Sequence, residues 1–180
     1  MDGTAEIREM GTPAEMESCA ALLRRAFGTV AREFGLTEKN APSNAAFTTP
    51  ENLRRHVEDG MVLFGMYRAG DLVGTVALKK SRSADGTYYI ERLAVEPASR
   101  HRGYGTDLLR FAVERIRSLG GAAASVGLID DNEQLKRWYR SKGFTQHDRR
   151  RVAHLPFKVC YMSLEVEARR NDGPPGQPRG

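Results

Sequence analysis

The chain of 180 residues lacks long apolar runs and contains only two cysteines, Cys19 and Cys160. No stretch approaches the roughly 20 consecutive apolar residues that a membrane-spanning helix requires. Residues 1–9 have no basic segment followed by an apolar one, so we predict no secretory signal. Cysteines inside apolar segments are expected to be free, buried thiols, which are typical of a reducing compartment. We therefore expect a cytoplasmic protein that does not enter the membrane.

Several catalytic motifs are also missing. The four histidines and two cysteines do not have the spacing of a metal site, so we predict no bound metal. There is no Gly-x-x-x-x-Gly-Lys-[Ser/Thr] phosphate loop, no Gly-x-Gly-x-x-Gly at the start of a βαβ unit and no Gly-x-Ser-x-Gly turn. These absences disfavour a nucleotide-hydrolysing enzyme, a dinucleotide-dependent enzyme and a serine hydrolase.

The composition is that of a globular domain, with 40% hydrophobic residues, 28% charged residues and a net charge of +5. The positive balance can assist an anionic ligand but does not define one. Without a continuous basic face and aromatic platforms, we expect no nucleic acid partner. The basic run Arg149–Arg151 is predicted to lie in a solvated loop, with a binding patch as the alternative.

Apolar periodicity and turn signals predict a single domain at 1–168, followed by a disordered Pro/Gly-rich tail at 169–180. Two helix starts are marked by Thr12-Pro13 and Thr49-Pro50, the first with Glu15 in a capping box. The predicted elements are a strand at Ala5–Met10, a helix from Pro13, a loop at 35–47, a helix from Pro50 to near Gly60, an antiparallel meander of Met61–Tyr67, Leu72–Leu78 and Tyr88–Val95, a helix at Thr106–Leu119, a strand at Ala122–Ile129, a helix capped by Asp131 or Asn132 that ends at Lys142, and a closing strand from Cys160 to Val166.

The most informative segment is Arg100–Gly105, which lies between the third strand of the meander and an amphipathic helix. A strand, a glycine turn and a helix together direct backbone N–H groups toward an anion, and the helix dipole adds about half a positive charge. Glycine is needed because a Cβ atom would hold a phosphate away from the backbone. We predict a phosphorylated ligand at Gly103 and Gly105.

Three motifs in this order resemble the GCN5-related N-acetyltransferase (GNAT) family. They are a Leu-x-Val-x-Pro approach to a turn, the Arg-x-x-Gly-x-Gly turn itself, and an Asn followed seven residues later by Tyr and then by Gly-Phe. The matching positions are Arg100, Gly103, Gly105, Asn132, Tyr139, Gly143, Phe144, Leu93, Val95 and Pro97. The resemblance implies an α/β (α+β) domain with a mixed, mostly antiparallel sheet of six to seven strands flanked by about four helices.

The resemblance also implies acetyl-CoA as the acyl donor. Its pyrophosphate is expected on backbone N–H groups from Arg102 to Thr106, and its pantetheine arm between the strands Tyr88–Val95 and Ala122–Ile129. The small residues 122–125 leave room for this arm, or they merely allow tight packing. The implied cofactor-binding residues are Leu93, Ala94, Val95, Arg100, His101, Arg102, Gly103, Tyr104, Gly105, Thr106 and Asn132.

Acetyl transfer to an amine needs a base for the ammonium proton, donors for the oxyanion and an acid for the leaving thiolate. Tyr139 matches the acid position of the family, with a core tyrosine as the alternative. The position where the family often has a glutamate base is Tyr89 here. Glu91 on the same strand face is therefore the candidate base, unless it only pairs with an arginine. His154 is a second candidate, and many members use a water chain instead.

The acceptor site of the family is formed by the loop between the first two helices and by the region before the last strand, here residues 30–48 and 145–158. We predict a small-molecule amine as the acceptor. A protein lysine or N-terminus is the next alternative, and an aminoacylated tRNA the third. Because Tyr89 occupies the position where the family often has its glutamate base, a non-catalytic module that binds acetyl-CoA as a signal is a further hypothesis. Family members often form homodimers, although no interface can be identified from the residues.

Overall fold

The computed structural model describes residues 4–167, and the predicted tail at 169–180 lies outside them. Two short 3₁₀ turns, Ala45–Phe47 and Pro97–Ser99, accompany eleven helices and strands. In chain order these are β1 (Glu6–Met10), α1 (Pro13–Glu33), α2 (Pro50–Glu58), β2 (Met61–Arg68), β3 (Asp71–Lys80), β4 (Thr87–Val95), α3 (Tyr104–Ser118), β5 (Ala123–Ile129), α4 (Glu133–Ser141), β6 (Thr145–Arg151) and β7 (Lys158–Glu165). The strands form one mixed sheet in the order β1-β2-β3-β4-β5-β7-β6, which confirms the predicted fold class.

The sheet opens between its two central strands. Strands β4 and β5 are parallel, whereas the other neighbours are antiparallel. Their pairing covers only three positions, from Thr87 opposite Ala123 to Tyr89 opposite Ser125. Beyond these positions β4 stays paired with β3, and β5 stays paired with β7 as far as Ile129. The second half of β4 therefore has a free edge that faces a wedge-shaped opening.

Helices cover both faces of the sheet. On one face α1 and α2 bury a cluster that includes Leu23, Leu53 and Ala94. On the other face α3 and α4 bury a larger cluster that includes Leu108 and Tyr139. Within residues 4–167, none of the helices combines the length and the apolar composition needed to cross a membrane.

The structure corrects one predicted loop and one predicted helix start. The basic run Arg149–Arg151 belongs to β6, so its placement in a loop is wrong. This edge strand pairs only with β7 and exposes nearly all of its residues, so it lacks the apolar alternation by which strands are recognised. Helix α3 begins at Tyr104 rather than at Thr106, because Gly103 is its N-cap.

The predicted capping box at the start of α1 is confirmed. The Thr12 hydroxyl accepts a hydrogen bond from the Glu15 N–H at 3.3 Å, and the Glu15 carboxylate accepts from the N–H groups of Thr12 and Gly11 at 2.9 Å each. These backbone donors, with Arg8, lower the pKa of Glu15 from 4.5 to about 2. Because the folded-state pKa is the lower one, the carboxylate stabilises the fold above about pH 4.5, and this contribution is lost as the pH falls toward 2.

We expect Glu15→Gln to lower the free energy of unfolding by about 1–2 kcal/mol at pH 7 and by clearly less at pH 3. The amide keeps one acceptor oxygen but loses the charge that favours the backbone donors. Urea denaturation at the two pH values measures the difference. The exposed Glu17 on the same helix provides the control Glu17→Gln, which should change neither value. An equal loss at both pH values would contradict this account of the capping carboxylate.

Candidate active site

The N-terminus of α3 has unfilled hydrogen-bond donors. Of the four α-helices within residues 4–167, the other three are capped by the side chains of Thr12, Thr49 and Asn132. Helix α3 has Gly103 as its N-cap and no capping side chain. The N–H groups from Gly103 to Thr106 make no hydrogen bond to other described residues. Free donors and the positive end of the helix dipole make this turn suited to an anion.

The backbone of this turn is also accessible. Gly103 has a φ of +83°, and a Cβ atom placed on it would meet no atom within 4 Å. A Cβ atom on Gly105 would make only ordinary contacts, at 3.7 Å with Trp138 and 3.8 Å with Val95. The side chains of His101 and Arg102 are exposed beside it. A phosphate can therefore approach the main chain here without displacing a side chain.

Two residues of the predicted cofactor set have side chains that are held by the protein. Arg100 donates through Nη2 to the carbonyl of Ala26 at 2.9 Å and to the Thr29 hydroxyl at 3.2 Å. This contact ties the turn to α1. Tyr104 accepts a hydrogen bond from Arg68 through its hydroxyl. The two side chains brace the turn, which leaves the backbone of Tyr104 to face a ligand.

The residues Leu93–Val95 lie on the free edge of β4. Their neighbour on one side is β3, and the opposite side faces the opening because the pairing with β5 ends at Tyr89. An unpaired strand edge offers N–H and C=O groups to an extended ligand, which can add to the sheet as another strand. This edge leads directly to the glycine turn.

The small residues 122–125 lie before the opening rather than along it. Ala124 is fully buried, and Ser125 is opposite Tyr89, the last residue of β4 that pairs with β5. The Ala122 N–H donates to the Gly86 carbonyl at 2.7 Å. The structure therefore favours the packing alternative for these small residues.

Tyr139 lies in the core beneath α4, with 6% of its surface exposed. Its ring makes edge-to-face contacts with Trp138 and Phe144, with centroid distances of 4.9 and 5.3 Å. The hydroxyl makes no hydrogen bond to other described residues. Its oxygen is not fully buried, so a ligand atom can reach it. Burial raises the pKa of Tyr139 above that of a free phenol. The phenol therefore keeps its proton over the whole neutral range.

Asn132 caps α4, which decides between the two predicted caps, Asp131 and Asn132. Its Oδ1 atom accepts a hydrogen bond from the Leu135 N–H at 3.1 Å. The side-chain NH₂ group has no partner in the described part of the chain and remains able to donate to a ligand.

A buried ion pair fixes α4 to the end of β5. Asp130 follows β5 directly, and its carboxylate lies 2.9 Å from Lys136 Nζ and 2.9 Å from Arg149 Nε. Lys136 lowers the pKa of Asp130 and also pairs with Glu133 at 2.9 Å. Lys136 and Tyr139 lie about one helical turn apart. The ion pair therefore helps to set the rotation of the helix that carries Tyr139.

Glu91 lies on the face of β4 that α1 and α2 cover. It is directly opposite Ala77, which packs in the cluster beneath these helices, and opposite residues point to the same face. Glu91 Oε2 is 3.4 Å from Arg92 Nη1, and the Glu91 side chain is 36% exposed. Glu91 thus pairs with an arginine, which is the alternative that the sequence offered for it. A catalytic role of Glu91 remains a prediction.

Two further residues near Glu91 were missed by the sequence analysis. Arg92 is the next residue of β4, and its charge and that of Glu91 both act on His56 of α2. Burial, followed by the charge of Arg92, lowers the pKa of His56, so the imidazole is neutral at pH 7 and can accept a proton. His154, the histidine that the sequence favoured, is exposed in a turn before β7.

The two segments predicted to form the acceptor site come together in the fold. Leu36, Ala41 and Ala46 from the connection between α1 and α2 pack in one cluster with Ile129, the last residue of β5, and with Phe157. This cluster lies at the end of β5 that borders the opening. Within residues 4–167, no group of three or more His, Cys, Asp and Glu side chains is arranged to hold a metal ion.

Comparisons of sequence support one family. A model of the acetyltransferase (GNAT) family matches residues 20–144. An uncharacterized N-acetyltransferase in the pepI 3′ region of Lactobacillus delbrueckii subsp. lactis is 35% identical over 57 residues. This match covers 32% of the chain and 33% of the relative, so the chain spans about a third of that relative.

Solved structures share the fold at low sequence identity. The ribosomal-protein-S18-alanine N-acetyltransferase of Escherichia coli is 16% identical with a TM-score of 0.71, over 93% of this chain and 98% of that one. The PaiA N-acetyltransferase of Thermoplasma acidophilum, solved with coenzyme A, is 17% identical with a TM-score of 0.73, over 90% and 99%. YncA of Salmonella typhimurium, a putative acetyltransferase solved with acetyl-CoA, is 18% identical with a TM-score of 0.68, over 97% and 99%. Because the family model matches well over half of the residues, the chain belongs to the acetyltransferase (GNAT) family.

Proposed function

We propose that this protein transfers an acetyl group from acetyl-CoA to the primary amine of a small molecule. The observation that carries the proposal is the continuity of two unfilled backbone surfaces, the free edge of β4 and the uncapped start of α3. The edge suits the amide-containing pantetheine arm, and the turn suits the anionic pyrophosphate. The structural neighbours solved with coenzyme A and acetyl-CoA support this assignment of the two surfaces.

Different groups of residues would bind the different parts of acetyl-CoA. The N–H groups from Gly103 to Thr106 would donate to the pyrophosphate, and the main chain of Leu93–Val95 would pair with the arm. The free NH₂ group of Asn132 would donate to the arm from the side of α4. Acetyl-CoA would supply a thioester that an uncharged amine attacks at the carbonyl carbon, with release of the thiol.

Side chains around the opening would carry out the two proton transfers of the reaction. An alkyl ammonium has a pKa of about 10.4, so it must lose a proton before it can attack. Glu91 would accept that proton directly or through water, and the neutral His56, on which the Glu91 charge acts, would be a second acceptor. The Tyr139 hydroxyl would donate a proton to the departing sulfur. A backbone N–H of β4 would stabilise the charge that develops on the carbonyl oxygen.

Two observations support a small acceptor in a reducing compartment. The cluster of Leu36, Ala41 and Ala46 with Phe157 lies at the end of β5 that borders the opening, and its small apolar side chains suit a small acceptor. Cys19 and Cys160 are unpaired and buried. Free thiols are typical of the cytosol, so we propose a cytoplasmic enzyme.

Thiol release from acetyl-CoA tests the proposal. The panel contains simple amines, polyamines, amino sugars and lysine peptides, and mass spectrometry identifies the acetylated product. We expect release with one class of small amine and intersecting initial-velocity lines, because direct transfer in a ternary complex forms no acetyl-enzyme. Acetylation of peptides alone would favour the protein acetyltransferase alternative. Acetyl-CoA binding without any release would favour the sensor.

A further inference from the structure

The guanidinium of Arg92 is buried with most of its donors unfilled. Its side chain is 12% exposed, and Nη1 has a single long contact, at 3.4 Å with Glu91. Nε is buried without a hydrogen-bond partner, and Nη2 donates to no other described residue. The other orphaned buried atom among residues 4–167, Asp130 Oδ1, lies 2.9 Å from the Lys136 ammonium and is electrostatically compensated. No carboxylate lies this close to the Arg92 guanidinium, whose printed ion pair is the 3.4 Å contact of Nη1 with Glu91.

A β-bulge places this guanidinium on the same face of the sheet as Glu91. The register between β3 and β4 shifts between Thr75 and Ala77, and Arg92 has a φ of +50°. The Thr75 hydroxyl donates to the Arg92 carbonyl at 2.9 Å and holds the bulge. As a result, two consecutive side chains of β4 point toward α1 and α2, where the Arg92 charge acts on Cys19.

This position lies at the reacting end of the proposed cofactor site. The glycine turn follows β4, so an arm that runs along the edge from the turn carries its thioester back toward Arg92. The main chain of Leu93 begins the edge that would pair with the arm, and the Arg92 side chain projects to the α1 and α2 face beside it. A group bound by Arg92 would therefore belong to the acceptor and not to the cofactor phosphates.

We propose that Arg92 binds a carboxylate of the acceptor, so that the substrate is a small amine that also carries an acidic group. This inference rests on the proposed acetyltransferase function and names its substrate class. The planar guanidinium fork matches the two oxygens of a carboxylate. A carboxylate reaches it first at Nη2, which has no partner among the described residues and is not fully buried, whereas contact with the buried Nε requires the side chain to shift. Glu91 beside it faces the ammonium end, so the pair complements a molecule with both charges.

Matched acceptors test the role of Arg92. Each of a series of L-amino acids and ω-amino acids is offered with its carboxamide, which has nearly the same size and no negative charge. We compare kcat/KM for the two members in the wild type and in Arg92→Gln. The acid and the amide of a pair differ in amine pKa, but this difference is the same for both proteins. Dividing the acid-to-amide ratio of kcat/KM in the wild type by that in Arg92→Gln therefore gives the contribution of the arginine alone. We expect Arg92→Gln to reduce the carboxylate preference about ten- to hundredfold, through KM.

Three companions keep the result interpretable. Arg92→Lys retains the charge without the fork and should fall between the other two proteins. Arg82→Gln removes an exposed arginine that pairs with Asp59, and it should keep the wild-type preference. Calorimetry with acetyl-CoA is done on every sample. Unchanged cofactor affinity in Arg92→Gln supports an acceptor-side role.

Several results would overturn the inference while leaving the acetyltransferase proposal intact. The first is that Arg92→Gln loses the same kcat/KM on the acid and on the amide of each pair. The second is that the wild type acetylates other amines and shows no preference for a carboxylate that depends on Arg92. The third is that the protein binds acetyl-CoA but acetylates neither member of any pair. If Arg92→Gln does not fold, an unchanged preference in Arg92→Lys also overturns it. A wild type that binds no acetyl-CoA would instead reject the proposed function itself.

Discussion

Replacing Gly103 by valine is expected to lower the affinity for acetyl-CoA about a hundredfold while the protein stays folded. Gly103 has a φ of +83°, where an L-residue is strained by about 1–2 kcal/mol, so the turn that aims the N–H groups would be distorted. Each lost hydrogen bond to a charged oxygen contributes about 1.5–3 kcal/mol. The fold should survive because a Cβ atom at this position meets no atom within 4 Å. Calorimetric titration with acetyl-CoA measures the loss.

The same helix provides the control for this variant. Gly120 follows the C-terminus of α3 with a φ of +74°, and a Cβ atom there also meets nothing within 4 Å. Gly120→Val therefore imposes similar backbone strain at the wrong end of the helix for an anion. We expect it to lose thermal stability about as much as Gly103→Val but to keep wild-type affinity. Equal affinities in all three proteins would show that the turn does not hold the cofactor.

Replacing Tyr139 by phenylalanine is expected to lower kcat about a hundredfold with little change in acetyl-CoA affinity. General acid catalysis contributes about 10²–10⁴-fold, and we expect the low end because a thiol, with a pKa of about 8.5, is a fairly good leaving group. The ring contacts with Trp138 and Phe144 are kept in the variant. The hydroxyl has no hydrogen-bond partner among the described residues, so its removal should not reduce stability. Single-turnover thiol release, at saturating acetyl-CoA, measures the effect.

Tyr67→Phe controls for the loss of a phenol elsewhere. Tyr67 lies on β2 opposite Glu6 of the edge strand β1, and β3 separates β2 from the free edge of β4. This control should have wild-type kcat. If Tyr139→Phe instead loses cofactor affinity and thermal stability together, Tyr139 is a packing residue. Wild-type kcat in Tyr139→Phe would also remove it from the mechanism.

The features predictable from the sequence are those fixed by neighbours along the chain. Thr12 and Glu15 form a capping box within one helical turn, and the Asn132 cap needs only the next three residues. The glycine turn is also local, because its strand, its glycines and its helix are consecutive. The order of the motifs then implied the family and, with it, the splayed strands that the pairing of β4 and β5 now shows.

The features that escaped prediction depend on contacts between distant segments. The bulge at Arg92 arises where β3 and β4 fall out of register, and Thr75 holds it from 17 residues away. His56 becomes a candidate base only because the charges of Arg92 and Glu91 act on it in the fold, and nothing in the sequence of α2 indicates this. Strand β6 was missed for a different reason. An edge strand with both faces exposed does not need apolar residues, so Arg149–Arg151 resembled a loop.

A structure determined with coenzyme A would test the central claim most directly, namely that the edge of β4 and the start of α3 form one continuous cofactor site. We predict pyrophosphate oxygens within hydrogen-bonding distance of the N–H groups from Gly103 to Thr106, and the pantetheine arm paired with Leu93–Val95 in the opening. A cofactor whose pyrophosphate lies elsewhere, for example in the groove between α3 and β7 lined by Val113 and Leu164, would contradict the account.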